Sequence, residues 1–494
     1  MTEPAYGIII NESYAGSLPV QSGDFSVIGL LLPADDADPT TFPLNTPVQF
    51  NSSDPTYLAK AGTGDFAKAL ASINNQLAAW QSAANIVAVL VTRGVDLPTT
   101  IANLVGSQAN FTGLYAFLKA GALTGFIPRL IGSPGYTGGV AAGVTAPVVS
   151  APGENYTSPP TIIFTPAGAQ AHALLNSSGG VGEIVMDAPG AYAAGVTPVG
   201  ALSGGGGTGA AMTFTMVNEA NPLCAALPAV LQSLLATAYV GASGDGVIAN
   251  TLAWRQMLSS DRLNPADAWV IPGSGNGYTD GVAEALGAQV AVDFQHAGIP
   301  GWSISGQQIQ GIGGLKTYYS FSLTDGATQG QELLAEQVSV IEPGAIGSDT
   351  AIAASGYVWA GVWNASTDPR AWFTNKRRMK DYVNLALVKA IRLRLGVDNV
   401  TPHAVQAVLN DMVNLGSWLL SKQISIGFSV SFVPSQNSPS QLQQGQFVVA
   451  FANEVPAPIT QVTVNSSDDP DALTVELATI IAQSGTIAPQ YLTA

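Results

Sequence analysis

Eight of the seventeen basic residues in this 494-residue chain lie between Arg370 and Arg394. They are Arg370, Lys376, Arg377, Arg378, Lys380, Lys389, Arg392 and Arg394, in the stretch RAWFTNKRRMKDYVNLALVKAIRLRLG. Only Asp381 answers them locally. Guanidinium and ammonium groups at this density bind carboxylates or phosphates. The whole chain carries a formal net charge of −16, however. Nucleic acid calls for a broad basic surface that releases counterions, so no nucleic-acid partner is expected. The plain reading of such a cluster is a solvated charged face.

Other candidate chemistry is thin. The three histidines, His172, His296 and His403, stand far apart, and no H-E-x-x-H or G-x-S-x-G motif occurs. SGGGGTGA lacks the Lys-Ser/Thr of a phosphate loop, and GSGNGYTDG lacks an intact G-x-G-x-x-G, so both read as turns. DDADP and SSDDPDA read as solvated loops. Asp293 and His296, in DFQHAGIPGW, are the acid–base candidates if the chain is an enzyme, but no nucleophile or cofactor motif accompanies them. Cys224, the single cysteine, reads as a buried apolar residue. The expectation is a protein without enzymatic activity, cofactor or metal.

The elements that would position these residues follow from hydrophobic period. FSVIGLLLP and NIVAVLVTRG are nearly continuous apolar runs, as in strands buried on both faces. Between them Phe66, Leu70, Ile73 and Leu77 recur at helical spacing. FTGLYAFLKAGALTG reads as a helix and FIPRLIGSPG as a strand, which gives an α/β layer with a mainly parallel sheet. From about 140 to 218 the chain becomes rich in Gly, Ala, Ser, Thr and Pro. An internal repeat there places Pro152 and Pro189 37 residues apart, which predicts an inserted β-rich module. ALPAVLQSLLATAYV reads as a helix with Pro228 in its first turn. Over about 376–395 a helix is predicted whose stripe is Met379, Tyr382, Val383, Ala386 and Ala390, with Lys380, Asn384 and Arg392 largely off it. Both ends of the chain read as extended arms. Charged residues are only 10%, against about 25% in ordinary soluble domains, which points to surface covered by other protein. MTEPAYGIII shows no secretory pattern, and no apolar stretch reaches the roughly 20 residues of a bilayer span.

The order of these segments resembles the contractile-tail sheath proteins of myoviruses and related injection particles. The resemblance rests on YGIIINESYAGSLPVQSGDFSVIGLLLPA, on the helix before PRLIGSPG, on DAWVIPG with DGVAEALGAQVAVDFQHAGIPGWSISGQQIQGI, and on YVWAGVWNASTDPRAWFTNKRRMKDYV. The family's W-G-x-R-T appears here as WAGVWNAST, and SISGQQ replaces its proline-rich turn. The resemblance implies a multi-domain α/β subunit: an arm at 1–22, an α/β domain at 23–140 plus 219–350, an inserted outer domain at 141–218, an inner α+β domain at 351–455 and a second arm at 456–494. Such subunits form sixfold rings stacked around a tail tube protein and contract, with baseplate and tail terminator proteins at the ends, in a virion assembled in the host bacterial cytoplasm. Direct membrane insertion is not implied. The inner basic helix would hold the tube through Arg370, Lys376, Arg377, Arg378 and Lys380, and the arms would add strands to neighbours through Ile8, Ile9, Ile10, Val462 and Val464. The rival expectation is a surface adhesin or carbohydrate-binding protein whose inserted module meets glycans through Tyr156 and Tyr192.

Overall fold

The computed structural model describes residues 23–484, apart from 81, 140, 191, 193–195, 274–276 and 346. The apolar runs form strands with almost every residue buried, and Ile28–Pro33 and Asn85–Val91 pair in parallel within an eight-stranded sheet. Across the sheet the order is Tyr357–Ala360, Ser339–Pro343, Leu263–Asp267, Thr237–Gly241, Leu130–Gly132, Ile28–Pro33, Asn85–Val91, Val48–Asn51. The six inner strands are parallel, and both edge strands run antiparallel to their neighbours. The sheet takes in Tyr357–Ala360, which the sequence reading assigned to the inner domain.

Helix Asp65–Ala78 buries Phe66, Leu70, Ile73 and Leu77, as their spacing requires. It packs on Val282–Gln295, a helix rich in alanine and glycine and buried through Asp293. A Cβ at Gly287 would lie 2.9 Å from the Ile73 backbone, so glycine there sets how closely the two helices approach. FTGLYAFLKAGALTG is not one helix. Gly113–Lys119 winds as a tight 3-10 turn and only Ala120–Thr124 is α-helical, because Gly113 and Gly125 take positive φ at either end. In the next segment the helix is Pro222–Leu234, capped by the Asn221 side chain. Pro228 therefore lies inside it rather than in its first turn. Leu235 turns left-handed (φ 49°), and ATAYV continues as the strand Thr237–Gly241 instead of helix.

In the insertion, strands Ala141–Glu154 and Thr208–Glu219 pair antiparallel. Beside them a four-stranded sheet runs Val181–Ala188, Gln170–Leu175, Thr161–Thr165, Val199–Ser203. The repeat places one tyrosine in each of two small cores. Tyr192 packs with Val144, Phe164 and Ala169, and Tyr156 with Ala173, Val181 and Ile184. Both rings are buried, so they are core residues of this module and not the exposed glycan platform expected of them. The Ala169 N–H donates to the Tyr192 hydroxyl at 2.7 Å. Tyr192→Phe strips that buried donor of its acceptor and should cost about 1–3 kcal/mol by denaturant titration. A loss within about 0.3 kcal/mol would contradict the assignment.

Residues 458–494 form a second unit. Its residues 458–469 have no regular structure, and Pro470–Ser484 is a helix where an extended arm was expected. The local reason is a start signal. The Asp469 carboxylate accepts from the N–H groups of Asp471 and Ala472, and Pro470 takes the first helical position.

Candidate functional site: the basic helix and its partners

The basic segment folds as helix Thr374–Ile391, which buries Met379, Tyr382, Val383 and Ala386 against Phe25, Leu415, Leu419 and Ile424. Ala390 is half-buried, and Lys380, Asn384 and Arg392 are exposed. The N-terminal turns are tied to the α/β core. The Thr374 hydroxyl donates to Asn264 Oδ1 at 2.6 Å, and Asn375 Nδ2 donates to the Gly301 carbonyl at 3.2 Å.

The five basic residues assigned to a tube contact have different fates. Arg378 is buried and grips Asp293 with both terminal nitrogens, at 2.9 and 2.5 Å, while also donating to the Phe25 carbonyl at 3.1 Å. Arg377 is largely buried between Asp381 and Asp261, the latter at 3.0 Å. Asp381 is shared with Arg262, from the start of strand Leu263–Asp267, at 2.5 and 3.1 Å. Lys376 pairs with Glu454 at 2.6 Å. Arg370 pairs with Asp368 at 2.9 Å and remains 91% exposed, and Lys380 is exposed. Arg377 and Arg378 are therefore corrected to internal ion pairs, which leaves Arg370 and Lys380 as the cations presented outward. Three of the eight basic residues, Arg377, Arg378 and Arg394, meet aspartates from three other parts of the fold: Asp261, Asp293 and Asp411. Further along, Arg394 is anchored to Asp411 at 2.8 Å and Asp398 at 3.3 Å.

The enzyme candidates are also engaged. Burial raises the Asp293 pKa and the Arg378 guanidinium opposes that rise, so the carboxylate is committed to an internal contact. The His296 ring stacks on Trp302 with centroids 3.7 Å apart. Open parallel sheets bind ligands beyond the strand C-termini where the strand order reverses; here that point lies between Ile28–Pro33 and Leu130–Gly132. Side chains meet one another there: Arg93 pairs with Asp35 and with Asp65 (2.7 Å), and the Tyr136 hydroxyl donates to Asp65 at 2.6 Å. Burial raises the Asp65 pKa, but Tyr136 and Arg93 outweigh that and hold it below the usual carboxylate value.

Helix Pro402–Ser421 carries an antiparallel hairpin, Gly427–Phe432 with Val449–Glu454. A Cβ at Gly416 would sit 2.2 Å from the Phe428 ring, so only glycine lets the hairpin lie this close.

A 136-residue segment is 37% identical to the major tail sheath protein of Serratia phage KSP20, covering 26% of this chain and 34% of that protein. A 145-residue segment is 31% identical to the tail sheath protein of Escherichia phage P2, covering 27% and 35%. The chain thus matches about a third of the length of these curated relatives. No family model matches it. The fold is similar over nearly its whole length to solved sheaths. The contracted sheath of the extracellular contractile injection system PVC covers 96% of this chain and 100% of its own, with a TM-score of 0.57 at 11% identity. The contracted helical sheath of the anti-feeding prophage covers 95% and 100%, with a TM-score of 0.55 at 10% identity. The chain thus has the fold of these sheaths and shares a segment with the phage tail sheath proteins. Ile8, Ile9 and Ile10 lie outside the described residues, whereas Val462 and Val464 are exposed in a stretch without regular structure. Among the described residues, neither strand of this hairpin pairs with a third.

Proposed function

We propose that this chain is a structural sheath subunit that polymerises as stacked hexameric rings around a tail tube and contracts to drive the tube through a host envelope. The observation that carries this reading is the full-length match to contracted sheaths, joined to the segment shared with phage sheath proteins. The hairpin supports the assembly step, because its outer backbone edges offer N–H and C=O groups to added strands. The segments around Ile8–Ile10 and Val462–Val464 of neighbouring copies are the donors in this reading. In a virion the subunit would meet the tube along its inner face and the baseplate and terminator at the ends of the stack.

Expression of the chain alone, followed by negative-stain microscopy at low and high salt, tests the reading. Hollow striated tubes with sixfold end views are expected. Uniform small particles at every concentration would sink it.

Tube contact in this reading falls to Arg370 and Lys380. Exposed charge pairs are worth about 0.2–1 kcal/mol each and weaken with salt. Arg370→Glu with Lys380→Glu should therefore leave the urea midpoint nearly unchanged, yet reduce the length of sheath co-assembled on tubes, most visibly at low salt. Unchanged sheath length would exclude these two residues from the contact.

A further inference from the structure

The helix Pro470–Ser484 carries Leu473, Leu477 and Ile481 at i, i+4 and i+8, hence on one face. They are 74%, 56% and 60% exposed. An isolated helix of this length is marginal in water, and an exposed apolar stripe calls for a covering surface. Asp468, Asp469, Asp471 and Glu476 make this segment acidic, without a single lysine or arginine. The twelve residues 458–469 before it have no regular structure. At about 3.3 Å per extended residue they reach roughly 40 Å.

A matching surface lies where the basic helix ends. Val388, Leu393, Leu395 and Val397 are 59%, 50%, 71% and 76% exposed, and Arg392 stands exposed among them. In a chain of net charge −16 most surfaces repel an acidic helix. This corner pairs apolar side chains with part of the scarce positive charge. We propose that the 470–484 helix of one chain docks its Leu473–Leu477–Ile481 stripe on the Val388–Val397 corner of a second copy, with its acidic residues toward Arg392. The inference rests on the sheath reading for bringing copies together, and it adds a helix-on-corner contact distinct from strand addition. A short tether would keep the helix at high local concentration near its neighbour.

Two chains, each with one added cysteine, Leu477→Cys and Leu395→Cys, mixed during assembly and treated with a short bismaleimide, test this. The native Cys224 does not compete, because it is buried and burial pushes its thiol pKa up to about 12. A covalent dimer joining Cys at 477 to Cys at 395 is expected in tubes. Arg392→Glu should lower its yield about fivefold, the equivalent of one exposed charge contact, and Asp468→Lys with Glu476→Lys, which spare the Asp469 cap, should restore it. Intact tubes without this cross-link overturn the docking and leave the sheath reading standing. So does a chain carrying both Leu477→Cys and Leu395→Cys, diluted in parent chains, that links only to itself, or a Leu477→Cys chain that links only to tube protein. Failure of every variant and the parent to form tubes overturns both readings.

Discussion

Asp293→Ala is expected to destabilise the folded chain by about 3–5 kcal/mol, read as a fall in the urea midpoint at unchanged slope. The carboxylate and its partner Arg378 have side-chain exposures of 0% and 1%. Neither ion keeps water in the folded state, so each depends on the other. Removing the carboxylate leaves a buried guanidinium held by the Phe25 carbonyl alone, with its Nε unpartnered. It also releases Gln289 Nε2, which donates to Asp293 at 3.0 Å. The exposed pair Arg370–Asp368 is the control, and Arg370→Ala should leave the urea midpoint nearly unchanged. Asp293→Asn should fall between these, because it keeps an acceptor but not the charge. Replacing both partners by apolar residues, Asp293→Leu with Arg378→Met, should recover much of the loss. A loss below about 1 kcal/mol for Asp293→Ala would mean that the site rehydrates. The pair also has a mechanical position. It joins Phe25, the Val282–Gln295 helix and the basic helix, so the segment before strand Ile28–Pro33 is tied to the same residue that anchors the proposed inner face.

Periodicity alone made the strands Ile28–Pro33 and Asn85–Val91, the helix Asp65–Ala78 and the apolar stripe of the basic helix legible, because in each a single face or an unbroken run must be buried. The destination of the charges was less accessible. Asp293 is 85 residues from Arg378, and Asp261 is 116 from Arg377. Local spacing carries no information about partners brought together by a crossover sheet. One signal was present. Arg378 lies four and eight residues before Tyr382 and Ala386, on the buried ridge, whereas Lys380 lies off it. An arginine on an apolar ridge calls for a carboxylate from elsewhere. The tyrosines of the insertion were misassigned for a related reason: a Pro-Gly-Tyr repeat reads as an exposed turn, yet a charge-poor module of this size needs aromatic rings for its cores. The helix Pro470–Ser484 was hidden by the β-prone ITQVTV before it, although Asp-Pro followed by a carboxylate is a helix-start pattern.

Between about pH 5 and pH 8, stability should fall as pH rises, and Glu342 should be responsible for much of the fall. Glu342 sits on Ser339–Pro343, 1% exposed, opposite Val358 on the edge strand. Neither carboxylate oxygen has a hydrogen-bond partner. Burial therefore favours the neutral acid and pushes its pKa up to about 8, from an ordinary 4.5. Between those values the folded chain keeps a proton that the unfolded chain has released. The unfolded state binds fewer protons, so each pH unit removes up to about 1.4 kcal/mol of stability from this group. Asp280, raised to about 7 by burial, adds a slope of the same sign. The contribution of Glu342 is isolated by Glu342→Gln, which stays neutral throughout. Relative to the parent, the variant should gain about 3 kcal/mol in going from pH 5 to pH 8, measured by urea titration at each pH. Parallel curves for the two proteins would show that Glu342 ionises normally and that its carboxylate finds solvent or a cation in the folded state. A gap that widens toward pH 8 would make this edge of the sheet a place where alkaline conditions loosen the fold next to the strand that leads into the basic helix.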